Sequence, residues 1–434
     1  MSGKSPRKKN RLAPAQTRAS LESFNWNAAL RSVYDTVCGG TTIVFVGFAL
    51  SLGLAKERMG LVTTVISCAC VLQLLGLMLA NTVRDKKRYV ITLALVEPAV
   101  LIAVVLLVPW LPPGLRLWAL AAAVFVAAGS LHLTRPFSDN WVASVIPAGI
   151  RGRYLGRRFQ AVSVFVIVAT LAAGYAMERV GKENTVGLGV LLAAGGVFGI
   201  LSVLALRPAH MPELVSSTRV TWRDLYGVFR VKGFRRYMMA LAIYNFPFLF
   251  AVPYYQVFNL RILEMRASTI AYMTVGYFIM RIIATPFCGR FIDAVGERRA
   301  ALICGPMYAL FFLAFPLCSV DRVWPLMAAW AFVGLADAVY VIALTSALYK
   351  VVPEVPSRPA FFAVSNLFTL GAYGVGAFVA VPLLERLKHV PVRTVGPMLF
   401  DQFRFFYAGC GVVMFAAAFG ALFLTGREAS AKSR

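Results

Sequence analysis

Ionisable and polar side chains lie inside stretches of this sequence that are otherwise apolar. Such side chains are costly in apolar surroundings, so each needs a partner or a function. The most polar of these stretches contains His132, Arg135, Asp139 and Trp141. The others occur singly, at Asp35, Glu97, Asn245, Arg281 and Asp337. Groups of this kind can form ion pairs, take up protons or bind a polar solute.

Asp35 follows Arg31 by one helical turn, a spacing at which two side chains meet on a helix. The two residues could simply form a local ion pair. Alternatively, Asp35 could share a site with Asn245, which occupies the related place in the second half of the chain. The sequence leaves both interpretations open.

Arg135 and Asp139 have the same spacing and could neutralise each other. However, Pro136 frees a backbone carbonyl between them. Together with His132, this much polarity favours a water-filled wall, with Trp141 as an apolar platform. We predict that this stretch contacts substrate.

Asp337 has no cation within its own helical turn, so it must find one on another helix or be protonated. Burial favours the neutral form of a carboxyl group, which suits a proton-coupling residue, and we assign that role to Asp337. Glu97 favours an interhelical structural role, with coupling as the alternative. We expect Arg281 to neutralise one of these carboxylates.

The composition is that of an integral membrane protein. Of 434 residues, 59% are hydrophobic and 15% are charged, against about 25% charged in soluble domains. The mean hydropathy is +0.72. Unbroken apolar runs predict helices, because each backbone polar group in lipid must be satisfied within its own segment. Twelve such runs occur, at 33–55, 61–79, 89–110, 118–147, 159–177, 185–206, 237–260, 267–288, 300–320, 324–349, 360–384 and 403–425.

These runs predict a division of the chain into two six-helix halves. The parts are a basic tail (1–31), a first bundle (32–206), a central loop (207–236), a second bundle (237–426) and a short tail (427–434). Most of the 44 Lys and Arg residues fall on the side of both tails, which the positive-inside rule places in the cytoplasm. The net charge of +25 therefore indicates topology and contact with lipid, not nucleic-acid binding.

The central loop contains Trp222, Leu225, Tyr226 and Phe229 at helical spacing. This pattern predicts either a helix that lies in the membrane interface or a linker helix packed under the bundle. Seven cysteines and three histidines show no disulfide or metal-binding pattern, and we expect no cofactor. The chain also has no nucleotide-binding loop and no catalytic cluster, so we expect it not to be an enzyme.

Three pairs of short motifs recur at a nearly constant offset between the two halves. Asp35 corresponds to Asn245, Asn81 to Asp293, and Pro147 to Pro353. A repeat of six helices in parallel is typical of one large class of transporters. The duplication therefore supports the two-bundle prediction.

The stretch Gly289-Arg-Phe-Ile-Asp293-Ala-Val-Gly296-Glu-Arg298-Arg299 resembles the signature loop of the major facilitator superfamily. The stretch from Trp141 to Arg158, which includes Arg153, resembles the end of the fourth span in many bacterial members. With the twelve spans, the likeness covers nearly the whole chain. It implies an all-α fold of two pseudo-symmetric bundles in a bacterial inner membrane.

The resemblance implies a cytoplasmic gate at the signature loop. Gly296 would make the tight turn, because glycine tolerates backbone angles that other residues avoid. Asp293 would bond to a neighbouring helix start, and Arg298 and Arg299 would pair across the two halves or merely set topology. Gly289 and Arg153 complete the predicted gate. In the first half the loop departs from the pattern, since Asn81 stands where the family has an aspartate.

The function expected from these features is secondary transport of a small solute or ion by alternating access, coupled to a proton or ion gradient. The alternative is a sensor or assembly factor that uses the same fold without transporting. Charges of both signs and aromatic residues occur among the site candidates, so the sequence does not indicate a substrate.

Overall fold

The computed structural model describes residues 13–79, 82–146, 151–212, 221–352, 358–396 and 398–431. The first half of the chain folds into helices α1 (Pro14–Cys38), α2 (Ile43–Ser51), α3 (Gly60–Cys68), α4 (Leu72–Leu79), α5 (Lys86–Leu107), α6 (Pro113–Val145), α7 (Arg151–Val180) and α8 (Thr185–Leu204). A short linker helix, α9 (Trp222–Gly227), precedes the second half. The second half contains α10 (Lys232–Ala251), α11 (Tyr255–Val257), α12 (Ala267–Val295), α13 (Glu297–Leu313), α14 (Trp324–Val351), α15 (Arg358–Leu387) and α16 (Gln402–Ala431).

Ten helical segments of the described residues are long and apolar enough to cross a membrane. They correspond to ten of the twelve predicted spans, and the protein is an integral membrane protein. The predicted seventh span is formed by α10, after which the chain continues through short 3-10 and π turns to Ile262. Pro247 and Pro253 lie in this region, where each removes a backbone donor. The predicted twelfth span lies in α16, whose apolar described part is Gln402–Ala418.

The first predicted span differs from the structure at its start and in its middle. Helix α1 begins at Pro14, so the predicted boundary of the tail at residue 31 falls inside a helix. The span is also broken, since α1 ends at Cys38 and α2 starts after Thr42, whose hydroxyl accepts a hydrogen bond from the amide of Phe45. Hydropathy missed the early start because the first turns of α1 are polar.

A β-hairpin joins α15 and α16, where the sequence predicted only a loop. Strands β1 (Arg393–Val395) and β2 (Met398–Phe400) pair antiparallel, with Arg393 opposite Phe400. Their side chains are largely exposed. Three-residue strands give too short a pattern to be recognised in sequence.

The linker helix α9 has one buried and one exposed side, so its packing under the bundle is confirmed and a place in the membrane interface stays a prediction. Leu225 is buried in a cluster with residues of α10 and α15, so this face packs under the second half. Trp222, Tyr226 and Phe229 are instead exposed. The Thr221 side chain and backbone amide both donate to Asp224 and hold the pKa of that carboxyl below its usual range, which stabilises the helix start.

Two pairs of helices join the halves. Helix α3 packs against α15, and α7 packs against α12. Within the halves, α1 and α5 both pack against α8, while α14 packs against both α12 and α13. The connections between successive long helices lie at two opposite ends of the molecule. We call them the basic face (residues 82–85, 205–212, 221–231 and 289–299) and the distal face (residues 52–59, 181–184, 258–266, 388–396 and 398–401).

Candidate functional site

A cavity of about 760 Å³ lies between the two halves. Its walls come from α1 and α7 of the first half and from α12 and α14 of the second. The lining includes Asn27 of α1 and Arg158 near the start of α7, with Thr285 of α12 and Ile342 of α14 opposite. All of these lie in the parts of their helices that are nearer the basic face. The charged lining residues are Arg31, Asp35, Arg158 and Arg281.

In the first half, one arginine holds two carboxylates. Arg31 Nε lies 2.9 Å from Asp35 Oδ1 on the same helix. The two terminal nitrogens of Arg31 donate to both oxygens of Glu97 on α5, at 2.5 and 2.8 Å. The Glu97 side chain is 8% exposed, whereas that of Asp35 is 56% exposed. The predicted local ion pair of Asp35 is therefore present, and Glu97 has the interhelical partner that the sequence favoured.

In the second half, the carboxylate of Asp337 is matched by one arginine. Arg281 Nη1 lies 3.2 Å from Asp337 Oδ2. Tyr277 and Tyr308 donate hydroxyl hydrogen bonds to the same carboxylate, at 2.6 and 3.1 Å. Asp337 thus finds its cation on another helix, and Arg281 neutralises a carboxylate as predicted. The guanidinium carbon of Arg281 also lies 5.9 Å from the ring of Phe159 on α7, a contact that joins the two halves at the cavity.

Arg158 is the cavity's remaining cation. Among the residues that the structure describes, it has no ion-pair partner. The nearby acid, Asp139, is 3.8 Å from Arg135, so that predicted pair is present but long. Arg158 was not among the predicted site residues, although it ends the stretch that resembles the family. Its place in the cavity lining depends on how α7 packs beside α1 and α12, which the sequence does not show.

Of the nine predicted substrate or coupling residues, two line the cavity, Asp35 and Arg281. The other seven do not: Glu97, His132, Arg135, Asp139, Trp141, Asn245 and Asp337. Trp141 is 1% exposed, packs edge-on against Phe24 and donates its indole hydrogen to the carbonyl of His210. Trp141 is thus a core residue and not a platform for substrate. His132 is also buried, on α6. Asn245 accepts a hydrogen bond from Tyr340 of α14 and donates to Leu241, so it ties α10 to α14 and does not join a site with Asp35.

The predicted cytoplasmic gate is only partly described. Gly296 separates α12 from α13 with φ +83°, which confirms its predicted use in a tight turn. Gly289 and Arg299 are exposed. The side chains of Asp293, Arg298 and Arg153, together with Asn81, lie outside the described residues, so their roles stay predictions.

The distal face carries polar contacts between the halves that the sequence did not reveal. Glu57, whose side chain is 4% exposed, lies 3.3 Å from Lys388 Nζ and accepts a hydrogen bond from Gln402 at 3.1 Å. The Tyr254 hydroxyl donates to the backbone carbonyl of Glu57 at 2.9 Å. We call Glu57, Lys388, Gln402 and Tyr254 the distal latch.

Two more ion pairs join the halves near the distal latch, and α3 and α15 approach each other closely beside it. Arg58 pairs with Glu385, and Arg261 pairs with Glu183. A Cβ atom on Gly60 would lie 2.4 Å from the carbonyl oxygen of Ala377, so α3 and α15 touch through their backbones. Opposite charges in two distant loops give no sequence signal of their pairing, which explains why these contacts were missed.

Comparison with known proteins agrees with this architecture. Residues 238–434 match the sequence model of the Major Facilitator Superfamily. The resemblance to the major facilitator superfamily is confirmed. No curated protein sequence matches the chain.

The whole chain has the fold of solved major facilitator structures. The nucleoside transporter NupG superposes with a TM-score of 0.65 at 14% identity, covering 94% of this chain and 99% of that one. A POT family transporter in complex with a thioalcohol-conjugated peptide gives 0.69 at 13% identity, covering 95% and 96%. A bacterial homologue of the human lysosomal transporter Spinster, inward-facing and occupied, gives 0.65 at 15% identity, covering 96% and 98%. At these identities the likeness concerns the fold.

Proposed function

We propose that this protein is a secondary transporter that moves a small solute across a bacterial inner membrane by alternating access. The observation that carries the proposal is the position of the charged cavity. It lies between the two halves and towards the basic face, whereas the distal latch joins the halves at the other end. A site closed at one end and bounded by two packed bundles is what rocking around a central site requires.

The orientation follows from the charges. Most Lys and Arg residues of the chain belong to the side that includes both tails, and the positive-inside rule places that side in the cytoplasm. We therefore infer that the basic face is cytoplasmic and the distal face external. In this conformation the cavity therefore faces inward. A gate at the signature loop would act in the opposite conformation, when the cytoplasmic side closes.

We further propose that the coupling ion is a proton and that it binds the group Asp35–Arg31–Glu97. Two carboxylates share one guanidinium there, so the group carries one excess negative charge when both are ionised. Groups that interact this closely titrate as a unit, and the proton belongs to the pair. The charged groups that face it are Arg135 from α6, and Arg158 and Arg281 across the cavity. Asp337, matched one-to-one by Arg281, suits the role less well than the sequence suggested.

Alternating access can be tested by measuring distances across both faces in lipid nanodiscs. Spin labels at Val186→Cys and Val392→Cys report on the distal face, since both positions are exposed and lie in different halves. Labels at Leu79→Cys and Trp222→Cys report on the basic face. The labels need a Cys68→Ser background, because Cys68 is the exposed cysteine of the described residues.

We expect two populations of molecules: in one the distal-face distance is longer and the basic-face distance shorter, and in the other the reverse. The ratio of the two populations should change with pH. A single pH-independent conformation would instead support a non-transporting protein of the same fold. Proteoliposomes loaded with a solute panel then test exchange directly, and exchange of none would reject transport.

A further inference from the structure

Some of the charged side chains around the cavity are paired one-to-one within the protein, and others are not. The group Asp35–Arg31–Glu97 has one negative charge in excess, and the pair Arg281–Asp337 is neutral. Arg158 forms no ion pair among the described residues, and the acid that faces it, Asp139, lies 3.8 Å from Arg135 and outside the cavity lining. The lining therefore presents an anion, Asp35, and a cation, Arg158, that have no one-to-one partner within it.

Asp35, Arg158 and Arg281 all line the cavity, and Asp35 and Arg281 keep polar atoms free for a ligand. The Asp35 side chain is 56% exposed, and its contact with Arg31 involves only Oδ1. Arg281, 21% exposed, reaches Tyr277 and Asp337 through Nη1, which leaves Nε and Nη2 directed to no described partner. Arg158 and Arg281 both line the cavity, and they lie on α7 and α12, which pack together.

We propose that the ligand of this cavity is a small zwitterion, with a carboxylate that binds Arg158 and Arg281 and an ammonium group that binds Asp35. This inference rests on the proposed transport function and names its substrate class. Guanidinium groups match carboxylates in geometry and charge. The exposed oxygen of Asp35 accepts a hydrogen bond from an ammonium donor.

Ligands of other charge fit the same cavity less well once it closes and water leaves. A simple anion would compensate Arg158 but leave the excess charge at Asp35 desolvated, and a simple cation would do the reverse. An uncharged solute would leave both charges without partners. A zwitterion compensates both, and it would do so from both halves at once, because its carboxylate touches α7 and α12.

The rest of the lining suits an apolar substituent on the ligand. Ala28, Val162, Ala338 and Ile342 provide the aliphatic surface between the charged groups. The cavity volume, about 760 Å³, falls within the range of roughly 300–1,000 Å³ typical of small-molecule sites. The class that fits is therefore an amino acid or short peptide with free termini.

Binding to the purified full-length protein in nanodiscs tests this charge requirement. The probes are the free α-amino acids and Ala-X dipeptides, each compared with its C-terminal amide and its N-acetyl derivative, with uridine and glucose as uncharged solutes. Thermal shifts at about 10 mM identify binders through ligand-linked stabilisation. We expect at least one zwitterion to bind, and we expect its affinity to fall by about tenfold or more on either modification, or roughly 1.4 kcal/mol.

Variants assign each end of the ligand. Asp35→Asn should remove the penalty for N-acetylation, and Arg158→Gln should remove the penalty for amidation. Arg158→Lys keeps the charge and should retain most of the carboxylate preference, which separates loss of binding from misfolding. Glu22→Gln and Arg18→Gln, an exposed pair outside the cavity, are the matched controls and should bind like the wild type.

Several results would overturn the zwitterion proposal. These are a derivative that binds as tightly as its parent, preferential binding of uridine or glucose, or no shift with any zwitterion. Counterflow of the bound compound in proteoliposomes distinguishes failure of the zwitterion proposal from failure of the transport proposal. Exchange of an uncharged solute would support transport and reject the zwitterion proposal. Binding of a zwitterion without exchange would support the zwitterion proposal and reject transport.

Discussion

Arg281 on α12 and Asp337 on α14 form an ion pair, with Nη1 and Oδ2 3.2 Å apart, at the wall of the cavity. Two tyrosine hydroxyls complete the surroundings of the carboxylate, from Tyr277 and Tyr308. Three helices of the second half are thereby joined through one side chain. Because the charges match and each side chain is about one-fifth exposed, we interpret the pair as a fixed structural element that also presents a guanidinium to the cavity.

Replacing Asp337 with Asn should destabilise the protein and preserve coupling. The change leaves Arg281 without its counter-ion and weakens charge-assisted hydrogen bonds, which are worth about 1.5–3 kcal/mol each. We expect a lower melting temperature in nanodiscs, with uptake still driven by a pH gradient. Asp321→Asn, in an exposed loop, is the control. If Asp337→Asn abolished gradient-driven uptake but left counterflow normal, Asp337 would be the coupling residue.

Replacing Glu97 with Gln should have the complementary effect. The group around Arg31 then has one carboxylate for one guanidinium, so its excess negative charge and its reason to bind a proton disappear. We expect uptake driven by a pH gradient to fall to background, while counterflow exchange stays within about twofold of wild type. Retention of full pH-driven accumulation in this variant would exclude Glu97 from coupling.

Removing Arg31 tests the same group by its stability. Arg31→Gln leaves two carboxylates without their cation, one of them almost fully buried. Loss of one partner of a buried pair costs about 3–5 kcal/mol. The double variant Arg31→Gln/Glu97→Gln removes both partners of the bidentate pair and should recover much of that loss in denaturation measurements. Additive effects would contradict the pairing.

The distal latch should control access from the external side. Glu57→Ala removes the acceptor of Lys388 and Gln402, so it favours opening of the distal face. A change of about 1–3 kcal/mol alters the ratio of conformations by roughly 5–150-fold. We expect the distance between labels at Val186→Cys and Val392→Cys to lengthen, whereas Arg116→Gln, which binds the Leu111 carbonyl in a first-half loop, should not change it. An unaltered distance distribution would show that the latch does not hold this face closed.

The sequence predicted contacts along one helix better than contacts between helices. The pairs Arg31–Asp35 and Arg135–Asp139 could be foreseen, because i,i+4 spacing fixes which side chains meet. The partner of Asp337 could not be chosen, since it depends on how α12 packs against α14. Polarity alone was an uncertain guide in the fourth span.

The environment of Trp141 illustrates that uncertainty. Its neighbours in sequence are polar, yet the side chain is buried and bonded to the backbone at His210, which lies in the far loop after α8. Hydropathy located most membrane helices because each is a long apolar run. It misplaced the start of α1, whose polar first turns lie before the apolar run. Backbone breaks such as Gly39–Thr42 interrupt a run without lowering its hydropathy.

Glycines of α15 provide a matched test of the contact between the halves. Gly371, Gly374 and Gly376 have no side chains and could let α15 approach a neighbouring helix closely. The structure shows a close approach at two of them: a Cβ on Gly374 would lie 2.5 Å from Ser67 Cβ of α3, and one on Gly376 would lie 2.4 Å from Leu249 Cβ. A Cβ on Gly371 would meet nothing within 4 Å.

Gly374→Ala should therefore force α3 and α15 apart, whereas Gly371→Ala should be tolerated. Overpacking of this kind costs about 1–3 kcal/mol, while a helical Gly→Ala change in open space gains up to about 1 kcal/mol. Because Gly374 contacts the other half and Gly376 does not, only Gly374→Ala should also lengthen the distance between labels at Val186→Cys and Val392→Cys. Gly376→Ala should lower the melting temperature alone. Equal distance changes in the two variants would mean that α15 moves as part of a general loosening, and that the α3–α15 contact does not set the closed distal face.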